Sequence, residues 1–141
     1  MTNNSLNPLY TILYEDRDLV VIHKPAGVVV NRARSVKDTT VQDWAEQKYN
    51  FQHPNGTTKD EEFFSRSGVV HRLDKETSGA LILSKNPASF RALKSQFKNR
   101  TVHKSYKALA HGTIVPASGT VHAPVGRLPW NRMRFGVFPA E

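Results

Sequence analysis

Apolar positions along the chain fall into short runs separated by polar clusters. Ile12-Leu13-Tyr14 and Leu19-Val20-Val21-Ile22 flank Glu15-Asp16-Arg17-Asp18, which predicts two short strands within residues 11–23 joined by a turn. Lys24-Pro25-Ala26-Gly27 suits a tight turn, with Pro presetting φ and Gly accepting the closing geometry, and Val28-Val29-Val30 follows as a third apolar stretch. Thr40 followed by Asp43 is a capping pattern in which Asp replaces the usual Glu or Gln, and it predicts a helix over about residues 41–48, through Trp44 and Ala45. Residues 50–68 are polar, with Pro54-Asn55-Gly56 as a turn, and read as a long loop of functional or mobile character. Val69-Val70 then predicts a strand delivering His71-Arg72-Leu73-Asp74, and Ala80-Leu81-Ile82-Leu83-Ser84 a buried strand. Asn86 as N-cap and Pro87 at the first helical position open the strongest helix. Its Phe90, Leu93 and Phe97 recur at three- and four-residue spacing, while Arg91, Lys94, Lys98 and Arg100 spread over the rest of its surface. Residues 101–110 alternate like a strand that Gly112 breaks, and residues 120–125 and 133–138 predict two more. Strands with two helices packed on them make this an α+β domain with a mainly antiparallel sheet.

Composition narrows the classes. At 141 residues the chain has room for one domain with a real core, since domains near this size bury roughly 68–70% of their unfolded surface. It holds no cysteine, which excludes a disulfide framework, Cys-based zinc and a thiol nucleophile, and suits the cytosol. No apolar run approaches the roughly 20 residues of a spanning helix, and MTNNSLNPLY has neither the basic nor the apolar region of a secretory signal. The formal net charge of +8 is unevenly spread. Residues 1–70 hold 8 Lys/Arg against 9 Asp/Glu, whereas residues 71–141 hold 12 against 3 (Asp74, Glu76 and Glu141). A half that basic points to a polyanion such as nucleic acid, although charge alone is explained equally well by a solubilising surface.

Within the basic half, Asp74 stands at the tip of a strand-loop-strand unit ending at Gly79, where scaffolds display reactive groups. Arg72 and Lys75 beside it favour the ionised carboxylate, which can serve as nucleophile, general base or metal ligand. On the residues alone, a turn cap or an ion pair with Arg72 explains Asp74 as readily. The six histidines (23, 53, 71, 103, 111 and 122) show neither H-x₃-H nor H-E-x-x-H spacing, so no metal site is expected.

His71-Arg72-Leu73-Asp74 with Thr77-Ser78-Gly79 resembles the H-R-L-D-x-x-T-S-G signature of the RluA family of RNA pseudouridine synthases. Three further stretches follow the family's order. Ile12-Leu13-Tyr14-Glu15-Asp16 with Leu19–Gly27 resembles its opening strands, Lys104-Ser105-Tyr106-Lys107-Ala108 its K-x-Y-x-A segment, and Pro124-Val125-Gly126-Arg127 with Arg132-Met133 its later strands. Together they cover nearly the whole chain. The resemblance implies a cofactor-independent isomerase that converts uridine in RNA to its C-glycoside, with Asp74 as the catalytic aspartate. That carboxylate would act either at the sugar or by adding to uracil C6, and the residues do not choose. Tyr106 aligns with the tyrosine that stacks on the flipped base and helps remove the C5 proton, although a core role is the expectation from pattern alone. Arg72 would orient the carboxylate or fill the gap left by the extruded uridine. His71, Leu73, Thr77 and Lys104 are expected around the substrate, with His71 positioning the loop. The basic face of the 87–100 helix would contact phosphates under the RNA reading, although a merely solvated face explains its residues equally well.

The pattern departs from the family at its end. The R-T-H-Q-I-R-like segment has no counterpart, and Trp130, Met133, Phe135, Val137 and Phe138 crowd the last dozen residues, so a catalytic domain truncated at its C-terminus is expected over residues 10–141, after a tail of residues 1–9. Leu128 also stands before Pro129 where relatives carry an acid. The leading expectation is a monomeric, cytoplasmic RNA-uridine isomerase, with large-subunit (23S) ribosomal RNA favoured over transfer RNA, and with no membrane, metal or cofactor. The alternative is an RNA-binding module with the same fold and no catalysis. A carboxylate hydrolase lacks a second well-placed acid, since Glu76 has no clear partner role.

Overall fold

The two opening apolar runs pair as expected. Strands β1 (Thr11–Glu15) and β2 (Leu19–Lys24) form an antiparallel hairpin, and β2 pairs antiparallel on its other side with β3 (Gly79–Ser84), giving the order β1-β2-β3. A computed structural model describes residues 10–51 and 59–138. The β1–β2 turn closes because Asp16 Oδ1 accepts the backbone N–H groups of Asp18 and Leu19, each at 2.8 Å. The register sets Leu19 against Ser84 and Lys24 against Gly79, so the C-terminal end of β2 lies beside the start of β3.

Helix α1 (Val41–Tyr49) begins with the reciprocal cap read from Thr40 and Asp43: the Thr40 side chain accepts from Asp43 N–H while the Asp43 carboxylate accepts from Thr40 N–H. Helix α3 (Pro87–Lys98) starts at Asn86, whose Oδ1 accepts Ser89 N–H at 2.9 Å. Alternation along β2 points Val20 and Ile22 inward to meet Val30, Val41, Ala45, Val69, Leu81 and Leu83 in one core. Trp44, Tyr49, Phe51, Phe63 and Phe90 continue it as a chain of ring contacts.

Several expectations need correction. A third helix, α2 (Glu61–Ser65), lies in the stretch read as loop, whose Pro54-Asn55-Gly56 turn falls outside the described residues. Val69 forms only an isolated bridge to Leu83, and residues 70–78 contain no strand, so a pinned loop carries the His-Arg-Leu-Asp segment. Residues 101–110 are not a strand, and Tyr106 and Leu109 are exposed. Alternation marks which residues could share a face, but a strand also needs a neighbour to pair with, and none of the described residues pairs with this stretch. The strand expected over 120–125 begins only at Val125.

Compactness divides the chain into a first unit, residues 1–104, and a second, residues 105–141. The second holds an antiparallel hairpin, β4 (Val125–Leu128) and β5 (Asn131–Val137), with Arg127 opposite Phe135 and its guanidinium 4.8 Å from that ring. Among the described residues all the strand pairings are antiparallel, and with the three helices found there the class is α+β as expected.

Candidate active site

The loop from His71 to Ser78 is held at both ends and in the middle. Its entry lies against the outer edge of β3. There Gly68 C=O accepts Ser84 N–H at 2.9 Å, and the next free donor on that edge, Ile82 N–H, donates to His71 Nε2 at 3.0 Å. The imidazole thus takes the place of a backbone carbonyl from a missing neighbouring strand. Its ring stacks on Phe97 of α3, with centroids 4.4 Å apart and planes at 18°. Burial, reinforced by the Lys104 ammonium, pushes the His71 imidazole down to about 4, so the ring is neutral at pH 7 with Nε2 free to accept.

Leu73 inserts into the core and is 7% exposed. The next residue, Asp74, is exposed, and its carbonyl accepts Thr77 N–H at 3.1 Å to close a turn. Lys75 C=O then accepts two donors, Gly27 N–H at 2.8 Å and Lys24 Nζ at 3.1 Å. Lys24 is fully buried. Its ammonium donates to three carbonyls, those of Pro25 (2.9 Å), Val28 (2.8 Å) and Lys75, which matches its three N–H groups. Burial lowers its pKa, and the Glu76 and Asp74 carboxylates oppose that shift. Gly27 sits at φ +84°, a conformation that the turn joining β2 to Val28 requires.

Sequence places Lys24 in the turn after β2 and in the stretch that resembles the family's opening strands, but gives it no role at the site. The signal that could have found it is the alternation of β2, which sets Lys24 on the same face as Val20 and Ile22. An ammonium on a core face needs a set of acceptors, and the adjoining turn and loop supply them.

The geometry also bears on the two ordinary explanations of Asp74. Its backbone carbonyl closes the turn, and among the described residues its side chain makes neither an ion pair with Arg72 nor a hydrogen bond. Arg72 is likewise exposed and unpaired among the described residues. The outcome is a carboxylate presented to solvent at the tip of a loop anchored at residues 71, 73, 75 and 77. Such a group is positioned to attack or to take a proton from a molecule brought to it. The structure gathers His71, Arg72, Leu73, Asp74 and Thr77 in this loop, but Leu73 meets the core rather than solvent. Lys104 is exposed and acts on His71 through its charge. Tyr106 belongs to the second unit, where it is 61% exposed and not in a strand. Among the described residues no group of three or more His, Asp or Glu side chains could hold a metal ion, and no helix is long and apolar enough to cross a membrane.

A family model described as RNA pseudouridylate synthase matches residues 18–136. An uncharacterized RNA pseudouridine synthase of Synechocystis sp. is 36% identical over 130 residues, covering 92% of this chain and 38% of that protein. One of Bacillus subtilis is 38% identical over 117 residues, covering 82% and 36% respectively. A protein of Neisseria meningitidis named ribosomal large subunit pseudouridine synthase D is 37% identical over 128 residues, covering 89% and 31%. The chain therefore spans between about a third and two fifths of these relatives' length.

Proposed function

This chain belongs to the RNA pseudouridylate synthase family, and from that membership we propose that it isomerises uridine to pseudouridine within RNA, using the Asp74 carboxylate. The observation that carries the reading is Asp74 at the tip of the pinned 71–78 loop, exposed and, among the described residues, without a side-chain partner. In the reaction the N1–C1′ bond breaks, uracil turns, and a C5–C1′ bond forms. The C5 proton leaves and N1 gains one, so atoms balance without an oxidant or a transferred group. A carboxylate suffices, acting either at the sugar or at uracil C6.

Arg72, exposed two residues before Asp74, would stand beside the reacting nucleotide and occupy the space vacated by the extruded base. Tyr106 would supply a stacking surface for the flipped uracil and assist loss of the C5 proton, a role its exposure permits. His71 holds the loop to β3 and Thr77 closes its turn, while Lys104 adds positive charge for phosphates. Residues 10–141 are read as parts of one synthase domain, a reading supported by the unbroken match over 18–136. Large-subunit ribosomal RNA is the favoured substrate, supported by the name of the Neisseria relative. We place the activity in the cytoplasm, carried out by a monomer.

The test is nucleoside chromatography of bulk RNA after incubation with the chain and with Asp74→Asn. Pseudouridine is expected with the first and not the second. Pseudouridine formed by Asp74→Asn removes the aspartate from the mechanism, and none formed by the unaltered chain removes the enzymatic reading.

A further inference from the structure

A second feature of the first unit lies between α2 and α3. The two helices enclose a groove of about 410 Å³. Its floor is Phe63 and Phe90, whose rings meet edge to face at 5.7 Å and are almost fully buried, so the floor is stiff and apolar. Its walls carry four cations and two carboxylates: Lys59, Arg91, Lys94 and Lys98 against Asp60 and Glu62.

The ion pairs fix the geometry of two of the cations. Arg91 is bonded to Asp60 and Lys94 to Glu62, and the Lys94 ammonium also lies 6.0 Å from the Phe90 ring. Lys59 and Lys98 are exposed and, among the described residues, have no carboxylate partner, so the groove keeps a surplus of two positive charges. Partly exposed pairs of this kind contribute at most about 1 kcal/mol each, so the fold does not need this arrangement of charge. The aromatic floor already joins α2 to α3.

The spacing specifies the ligand's shape. Arg91, Lys94 and Lys98 lie on one face of α3, and at 1.5 Å per residue they extend over about 10 Å, a line of charge rather than a point. That length suits about two or three successive phosphates of a single strand. The same helix also touches the candidate site's loop, because Phe97, next to Lys98 in sequence, stacks on His71. We propose that the α2–α3 groove binds the sugar–phosphate backbone of the RNA strand outside the reacting nucleotide, with Lys59 and Lys98 as the phosphate contacts and Arg91 and Lys94 held ready by their carboxylate partners. This rests on the reading of the chain as acting on RNA.

The experiment measures binding of a short uridine-rich single-stranded RNA by the full chain over a range of salt concentrations. It compares the unaltered chain, a Lys59→Gln/Lys98→Gln variant, and a control with equal charge loss elsewhere, Lys37→Gln/Lys48→Gln. All four lysines are exposed, and matching thermal melts establish that the fold is kept. Each lost contact to a single strand flattens the plot of log affinity against log salt by about 0.7, so the groove variant should be about 1.4 shallower and the control unchanged. Equal flattening in both variants, or none in the groove variant, overturns the proposal. An acidic peptide that binds the chain and is lost with the groove variant, while the RNA slope stays constant, assigns the groove to a protein partner and also overturns it. The proposed activity can fail separately: a chain that binds RNA through the groove but makes no pseudouridine refutes the enzymatic reading alone.

Discussion

Replacing Lys24 by Met keeps the volume of the side chain and removes its ammonium, which isolates the role of the three hydrogen bonds beneath the Asp74 loop. Hydrogen bonds from a charged donor contribute about 1.5–3 kcal/mol each, while moving an ammonium out of water costs several kcal/mol. Met removes both. What remains is the loss to the acceptors. Lys75 C=O keeps its second donor, Gly27 N–H at 2.8 Å, whereas the half-buried carbonyls of Pro25 and Val28 lose the ammonium. At about 1–2 kcal/mol for each such group, Lys24→Met should destabilise the first unit by about 2–4 kcal/mol, a large share of the roughly 5–15 kcal/mol typical of a domain. In urea denaturation this lowers the midpoint by about 1–2 M with little change in slope. Hydrogen exchange at Gly27 should accelerate as well, because its acceptor on the loop loosens. The control is Lys37→Met at an exposed loop position. A Lys24→Met midpoint equal to that of the unaltered chain, or no lower than that of Lys37→Met, refutes the claim that the buried ammonium holds the loop.

Two further outcomes follow from the same region. His71 has a folded pKa of about 4 against an ordinary 6.5, so the unfolded chain binds the proton more readily: stability is complete above about pH 6.5 and falls as pH drops toward 4, by up to about 3 kcal/mol. His71→Gln should flatten that decline in urea titrations across this window, and an unchanged decline would show that the acid sensitivity lies elsewhere. Gly68 sits at φ +77° with the position of a Cβ 2.1 Å from Ser84 O, whereas Gly27, at φ +84°, has open space around it. Gly68→Ala should therefore cost about 2–4 kcal/mol in thermal melts and Gly27→Ala about 1–2 kcal/mol, and equal costs would contradict the close approach of Gly68 to β3.

Local chemistry made much of the fold legible. The Thr40–Asp43 cap, the Asn86-Pro87 start and the acidic turn between β1 and β2 each satisfy backbone groups within a few residues, and each formed where it was read. Helix α2 escaped because five residues, Glu61–Ser65, are too few for a period to show, and its Phe63 is recognisable as core only once Phe51 and Phe90 lie against it. Residues 101–110 show the opposite failure, an alternating pattern with no partner strand among the described residues. At the candidate site, the polar turn ending at Gly79 between apolar runs puts Asp74 at a tip, and the structure shows it exposed there. The resemblance implies that His71 positions the loop, but the partners that hold it are not legible, since His71 reaches β3 eleven residues on and Lys24 reaches Lys75 across fifty-one. Long-range acceptors of this kind leave no mark on local spacing.

The central claim is that Asp74 drives an isomerisation in which uridine exchanges its N1 glycosidic bond for one at C5. RNA carrying tritium at uracil C5 tests it most directly, because the label can leave only if the C5–H bond is broken. The account predicts tritium release to water by the unaltered chain, in step with pseudouridine formed, and none above background by Asp74→Asn. Equal release from both proteins would contradict it.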